Sequence, residues 1–489
     1  MQSSTCKAVP STVSAWVPPP QRVSRAGFGV LFALLLWLAL PASAVHAQGF
    51  GVFEQGACVM SRAEATVADA CGDGSSIFYN PANLVDNEGT VISLGATAVL
   101  ASGEYTSGVT GRESELQNDP IFVPHVFGSY RVNEKLAAGL GVYVPYGLAT
   151  QWDRSFEGAF EGYDNSVQAI YIQPTVSYRV SDRLSVGGGP IVTVSEVELN
   201  QLQDLSAQTV PGSTDPITGE AQFFSQLGVP HHTAFADVKL EGKNAVGFGA
   251  NIGATYQVTS RLSFGTRFTT PIKVTFDGDA SFDQIDTGVI LPDGTPIDPV
   301  LLITQFDETN ENAGLVSQSV KTELTFPAQL IVGLSFDATE RAKLLLDYQW
   351  NGWSSLEVIP LDFENDALDS ERELNYDNTS ALRFGAQYEV RDDLTVRGGY
   401  LYNTAAAPEA TVTPLLPEND RNHFTLGLTY QPVELFEVSA AYQRLMQNDR
   451  VGRVRDVRPG EDVENLAELN EGLYSFGANL FGVTLTVHL

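Results

Sequence analysis

The sequence predicts an all-β chain, a 14-stranded antiparallel transmembrane β-barrel with a small N-terminal helical hatch, or plug. Three observations carry this. Apolar and polar residues alternate with period two over most of the chain after about residue 89. About fourteen such segments occur, and an even strand number lets an antiparallel sheet close on itself. Their connections are alternately tight and long, the pattern of an outer-membrane barrel with short turns at one end and extended loops at the other.

Composition narrows the function. The chain has 489 residues, 28 Lys+Arg against 59 Asp+Glu, and a formal net charge of −31. So acidic a chain excludes nucleic-acid binding through phosphate neutralisation, which needs clustered Lys and Arg. A hydrophobic share of 43% excludes a disordered chain. Three Cys exclude a disulfide-built scaffold.

Residues 1–47 read as a signal peptide. Arg22 and Arg25 precede the apolar run 28–40, Pro41 ends it, and Ala42-Ser-Ala-Val-His-Ala47 supplies small residues for cleavage. Cleavage is expected after Ala47, with Ala44 and an uncleaved anchor as alternatives. The run is too short to span a bilayer core of roughly 30 Å. No other stretch approaches 18 consecutive apolar residues, so no transmembrane helix is expected. Cys6 leaves with the leader, and Cys58 and Cys71 remain as a candidate disulfide in an oxidising compartment.

Residues 48–88 do not alternate. Ser61–Ala70 is Ala-rich and suited to helix, and Gly72-Asp-Gly-Ser-Ser breaks it. A compact segment ahead of the first strand reads as a plug.

The barrel occupies 89–489. Its alternating segments are 89–104, 122–132, 135–146, 166–180, 183–199, 236–258, 261–278, 318–337, 341–357, 378–390, 394–403, 420–431, 435–447 and 472–489. In one of them Leu382, Phe384, Ala386, Tyr388 and Val390 face one way, and Arg383, Gly385, Gln387 and Glu389 the other. Tight turns fall at Asn133-Glu134, Ser181-Asp182, Thr259-Ser260, 338–340, 391–393 and 432–434. The connections between them are long, the longest being 200–235 and 279–317. A soluble sandwich or propeller would alternate too but would not require that rhythm. Closure leaves no unpaired edge in lipid. The 44 Gly suit a curved sheet and carry no chemistry of their own.

Several stretches resemble one family in order along the chain. Gly49-Phe-Gly-Val-Phe-Glu-Gln-Gly56 looks like the start of its hatch, and Ser75-Ser-Ile-Phe-Tyr-Asn-Pro-Ala82 like the hatch motif around Asn80, Pro81 and Ala82. Gly141–Trp152, Thr325-Phe-Pro-Ala328 with Leu345–Trp350, and Leu394–Tyr400 with Leu416–Arg421 are similar too. The set resembles the FadL-type outer-membrane transporters of long-chain fatty acids and other hydrophobic compounds. The sequence departs from that pattern in its non-aromatic end, Val487-His488-Leu489, in the Cys58/Cys71 pair and in its acidity. The acidity reads either as high-salt adaptation or as acidic cell-surface loops.

The resemblance implies a hatch-closed barrel in the outer membrane. Hydrophobic substrate would be caught by loops, enter the lumen, and leave past the hatch or through the wall by diffusion. Expected partners are fatty acids, aromatic hydrocarbons or alkanes, and outer-membrane lipids, with no nucleic acid and with the chain a monomer. Phe223, Phe224 and Leu227 in the first long loop, and Leu301, Leu302 and Phe306 in the second, form either a capture groove or a lid packed on itself. Alternation turns Arg179, Arg267, Arg383 and Arg397 inward, to hold a carboxylate headgroup or to join salt bridges with acids such as Glu389 and Asp347. Phe127, Tyr171, Ile331 and Leu401 turn inward as apolar lining. Pro145, and Gly187-Gly-Gly-Pro190, are candidate wall kinks for a lateral exit, or ordinary bulges.

No catalytic site is legible. The chain lacks a Gly-x-Ser-x-Gly elbow, His-Glu-x-x-His and a phosphate loop. His231-His232 are adjacent and face apart on a strand, so no metal is expected there, and no cofactor. The alternative function is a general porin or structural outer-membrane barrel passing small polar solutes, which would not need a plug.

Overall fold

The computed structural model describes residues 49–214, 219, 221–310, 313–455, 457–458 and 461–489. The expected leader, with its cleavage site after Ala47, lies outside the described residues.

Each alternating segment becomes one wall strand. In chain order these are β1 (Thr90–Ser107), β2 (Ile121–Asn133), β3 (Leu136–Gln151), β4 (Asp164–Ser181), β5 (Leu184–Asp204), β6 (Ala234–Thr259) and β7 (Leu262–Thr269 and Ile272–Gln284). They continue as β8 (Gln318–Phe326 and Gln329–Asp337), β9 (Ala342–Asn351), β10 (Thr379–Arg391), β11 (Leu394–Asn403), β12 (Arg421–Val433), β13 (Phe436–Gln447) and β14 (Gly472–His488). Every neighbouring pair is antiparallel, and β14 returns to β1 from Val91↔His488 to Ser107↔Gly472, which closes the sheet. β7 and β8 are each broken in two, at Pro271 and Pro327, where the missing N–H removes a ladder donor.

The outer face marks the membrane. Tyr130, Tyr178, Tyr256, Tyr388 and Tyr430 are exposed near the short turns. Phe122 and Phe248, also exposed, stand eight residues from Tyr130 and Tyr256 on their strands. Eight residues rise ~27 Å along a strand, roughly 20 Å along the barrel axis once strand tilt is taken into account, which falls within an apolar band about 25 Å tall flanked by aromatic girdles.

Strands run on past the loop ends that alternation marks. β5 reaches Asp204 and β6 begins at Ala234, inside the expected 200–235 loop. The expected loops 279–317 and 358–377 hold a helix, Ile297–Gln305, and two short strands, Val358–Phe363 and Ser370–Glu373. Above the bilayer the apolar faces bury against other loops rather than lipid, so their pattern no longer reads as a membrane strand.

Residues 49–89 fill the lumen on the short-turn side. Two short helices, Ala57–Ser61 and Ser76–Tyr79, are followed by a 3-10 turn, Pro81–Asp86. A disulfide joins Cys58 to Cys71. Wall glycines admit this hatch. A Cβ on Gly265 would stand 2.5 Å from the Val67 carbonyl carbon, on Gly385 2.7 Å from the Arg62 oxygen, and on Gly399 2.7 Å from the Ala63 Cβ. Lumen-facing glycine therefore has a role that composition does not reveal: it makes room for a second backbone.

Candidate functional site

The hatch is tied to strands all round the wall. Asn80 Nδ2 donates to the Val67 carbonyl at 2.6 Å and to Thr255 Oγ1 at 2.9 Å, while Asn80 Oδ1 accepts from Ala82 N–H at 3.1 Å. The Asn-Pro-Ala motif thus caps its own turn and pins it to β6. Asp347 Oδ2 accepts from the N–H groups of Thr66 and Val67 at 2.7 and 2.9 Å. Gln173 and Asn251 donate to carbonyls of Ile77 and Phe78. Ala57 N–H donates to Thr484 Oγ1 on the last strand at 2.9 Å.

Three of the four arginines singled out by alternation meet this hatch. Arg383 Nη2 lies 2.7 Å from Glu64 Oε2, both side chains buried, and its guanidinium stands over Phe53. Arg267 is buried over the Phe78 ring, 4.5 Å from its centroid, and donates to Asn251. Arg179 pairs with Asp86 at 2.5 Å. Arg397 donates to Gln387 and Thr429 on neighbouring strands. Burial pushes the Glu64 carboxyl up to about 8, against the pull of Arg383 and with a push from Glu54.

Above the hatch three recesses adjoin. A polar vestibule of about 1770 Å³ lies among the loops, lined by Phe160, Asp204, His232, Arg455 and Arg458. It shares Glu161, Leu361, Arg372, Glu373 and Arg453 with an apolar recess of about 1220 Å³, whose walls include Val197, Leu240, Phe276, Leu324, Ile359 and Tyr376. That recess shares Phe50, Leu148, Val167 and Leu416 with a third of about 1390 Å³. The third recess crosses the wall, because lumen-facing Glu54, Val123 and His423 and outward-facing Phe122 and Gln168 all line it.

The crossing lies where β2 leaves β3. Their last pair is His125↔Tyr143, and β3 bulges against β4 between Tyr143 and Tyr146. Pro124 and Pro145 follow at once, neither with an N–H to give. The freed β3 edge is taken from inside by the N-terminal segment: Val52 N–H donates to the Pro145 carbonyl at 2.8 Å, and Gly147 N–H to that of Phe50 at 3.0 Å. The β4–β5 ladder is also interrupted, between Ile172↔Val192 and Val176↔Gly188 around Pro190, but none of the three recesses reaches that point.

None of the fourteen residues expected to bind substrate lines these recesses. Phe127 packs beside hatch Gly74, Tyr171 lies among Tyr143, Tyr146 and Phe326, and Ile331 and Leu401 are buried in the wall. Phe224 and Leu301 share one buried cluster with Leu227 and Phe306 packed against it, so the two long loops hold each other. Phe223 is half-buried, and Leu302 is exposed together with Ile290 and Ile303. His231 meets Ser206, and His232 stacks on Phe160. Among the described residues no group of His, Cys, Asp or Glu could hold a metal ion.

Comparison with known proteins agrees with this architecture. The profile of the outer membrane protein transport protein family (OMPP1/FadL/TodX) matches residues 38–487. The chain is 24% identical over 474 residues to outer membrane protein P1 of Haemophilus influenzae, covering 92% of this chain and 96% of that one. It is 22% identical over 406 residues to the long-chain fatty acid transport protein of Salmonella typhi, covering 81% and 87%. A FadL homologue from Pseudomonas aeruginosa superposes with a TM-score of 0.74 at 21% identity over 90% of this chain and all of that one. The toluene transporter TodX of P. putida superposes with a TM-score of 0.65 at 18% identity, over 90% and 99%. With the family matched over nearly the whole described length, the chain belongs to the OMPP1/FadL/TodX family of outer-membrane transport proteins, and is a transport channel of that membrane rather than an enzyme.

Proposed function

We propose that this barrel takes up long-chain fatty acids or similar hydrophobic molecules by diffusion. The observation that carries the reading is the chain of recesses: a polar vestibule, an apolar chamber, and a third recess that opens through the wall at Phe122. Exposed Ile290, Leu302 and Ile303 on the loops give a first apolar contact outside. The apolar chamber offers a tail the burial that drives entry, about 25 cal/mol per Å² removed from water. Phe50 and Leu148 stand between chamber and wall opening, so a small movement of the N-terminal segment passes the molecule on to the membrane. The hatch, held by Asn80, Asp347, Asn251 and the Arg383–Glu64 pair, stays in place. The four inward arginines serve that hold and the wall, and outer-membrane lipid receives the product around a monomeric barrel. Residues 1–47 are proposed as the leader that sends the chain there.

The test is equilibrium binding of oleate and of toluene to the purified barrel folded in detergent, with conductance in a planar bilayer alongside. Saturable binding of either, with little ion conductance, is expected. No binding together with a steady open conductance would replace this reading with a porin.

A further inference from the structure

The recess that crosses the wall has one polar side. Next to the opening its liners are apolar, Val99 and Ala101 on β1 and Phe122 and Val123 on β2. On β11 and β12 they are Asn403, Arg421 and His423. Three strands, β13, β14 and β1, stand between β12 and β2 in the ring. His423 therefore faces the recess from a side set back from the opening at Phe122. It is 4% exposed.

A relay of hydrogen bonds fixes the proton on that imidazole. Gln443 Nε2 donates one N–H to Glu54 Oε1 at 2.6 Å and the other to His423 Nδ1 at 2.9 Å. An amide nitrogen only donates, so Nδ1 accepts and the neutral ring carries its proton on Nε2. That Nε2 is buried and has no hydrogen-bond partner among the described residues. A buried donor left unmatched carries a desolvation cost that an acceptor would remove. The charge nearby is already answered. Arg421, two residues along the same face of β12, lies 3.4 Å from the buried carboxylate of Glu418, and Glu54 borders the same recess. An incoming carboxylate would meet the Glu54 carboxyl, whereas a hydroxyl or carbonyl oxygen brings no charge to the N–H.

We infer that His423 Nε2–H binds the neutral oxygen, carbonyl or hydroxyl, of a hydrophobic molecule lodged in the wall-crossing recess. This rests on the hydrophobic-uptake reading above and adds a second station to it, beyond the apolar chamber, that favours an oxygenated hydrophobe over a bare hydrocarbon. The preference is modest, because one neutral hydrogen bond contributes a factor of about three to ten.

The experiment measures equilibrium binding of acetophenone and ethylbenzene, which differ by a carbonyl in place of a methylene, to the full barrel folded in detergent, with oleate as a control for the uptake reading. Wild type is compared with His423→Phe and His423→Gln, and heat-modified gel mobility confirms that each variant is folded. His423→Phe is expected to weaken acetophenone about three- to tenfold and to leave ethylbenzene within about twofold. His423→Gln, whose amide keeps an N–H, is expected to recover part of the loss. Equal loss for acetophenone and ethylbenzene would mean that His423 only shapes the recess, and would overturn the inference. Acetophenone binding that is unchanged in both variants would overturn it as well. Wild type that binds ethylbenzene or oleate but not acetophenone would overturn it while leaving hydrophobic uptake standing, and wild type that binds none of the three would remove both.

Discussion

The Phe50 ring stands edge-on to Trp353, with 4.7 Å between centroids, and both are buried. Tyr146 and Phe326 complete the cage at 6.1 and 6.3 Å from Phe50. The same Phe50 separates the apolar chamber from the recess that crosses the wall. Replacing it with Ala removes both the plug between the recesses and the anchor of the N-terminal segment. Phe50→Ala is expected to raise hydrophobe flux several-fold in proteoliposomes while lowering the thermal midpoint only slightly, because the wall ladders do not involve it. Unchanged or reduced flux would assign the residue to stability alone.

Pro145 keeps β2 and β3 apart. Ala in its place restores an N–H on the β3 edge and relaxes the bulge. Pro145→Ala is expected to cut hydrophobe uptake at least several-fold with binding affinity within about twofold, since the chamber is untouched. A parallel fall in binding and uptake would show that the proline shapes the chamber rather than the exit.

Glu64 gives the hatch a pH dependence. Burial raises its carboxyl from 4.5 to about 8. A raised acid favours the folded hatch fully below about 4.5, and that contribution is lost as pH rises through about 8. Proteolytic cleavage within residues 49–89 is therefore expected to speed up between pH 6 and 9 in wild type and to rise less steeply in Glu64→Gln, where the other buried hatch acid, Glu54, still titrates above its ordinary value. A wild-type rate that falls over that range would reverse the sign and exclude Glu64 as its source.

The Cys58–Cys71 disulfide closes a loop with a sequence separation of 13. Such loops contribute about 3 kcal/mol by restricting the unfolded chain. Reduction, or a Cys58→Ala/Cys71→Ala double variant, is expected to expose hatch cleavage sites and leave the barrel's heat-modified mobility unchanged. Loss of the barrel itself would mean that the hatch is needed to build the wall.

Alternation legislates which way a side chain points, but not what stands opposite it. Arg267 and Arg383 are indeed inward and buried, yet they meet Phe78 and Glu64 because the hatch sits at their height in the lumen. That height is set by where Gly265, Gly385 and Gly399 let another backbone approach, and a glycine in a strand looks the same whether it seats a hatch or eases curvature. The chamber was harder still to see. Ile359 and Leu361 alternate, but over a span too short to separate from a connection, and Leu374, Tyr376 and Leu416 come from irregular segments whose meeting depends on the folded loops. Arg372 lies in such a segment, so no periodicity could mark it. Pro145 was legible because proline means the same thing in any strand; its neighbour Pro124 carries the same signal one strand earlier.

The bond from Ala57 to Thr484 spans 427 residues. The hatch leaves the ribosome before any wall strand, yet its partners are spread from Ser93 and Thr97 on β1 to Thr484 on β14. The contact to β14 is the slowest kind to form, since almost the entire chain must be ordered before it rewards the closure. Completion of hatch docking is therefore expected to coincide with ring closure, and its protection from exchange or protease would serve as a clock for that step: a chain stalled with any strand missing would carry a complete hatch with no complete ring to receive it.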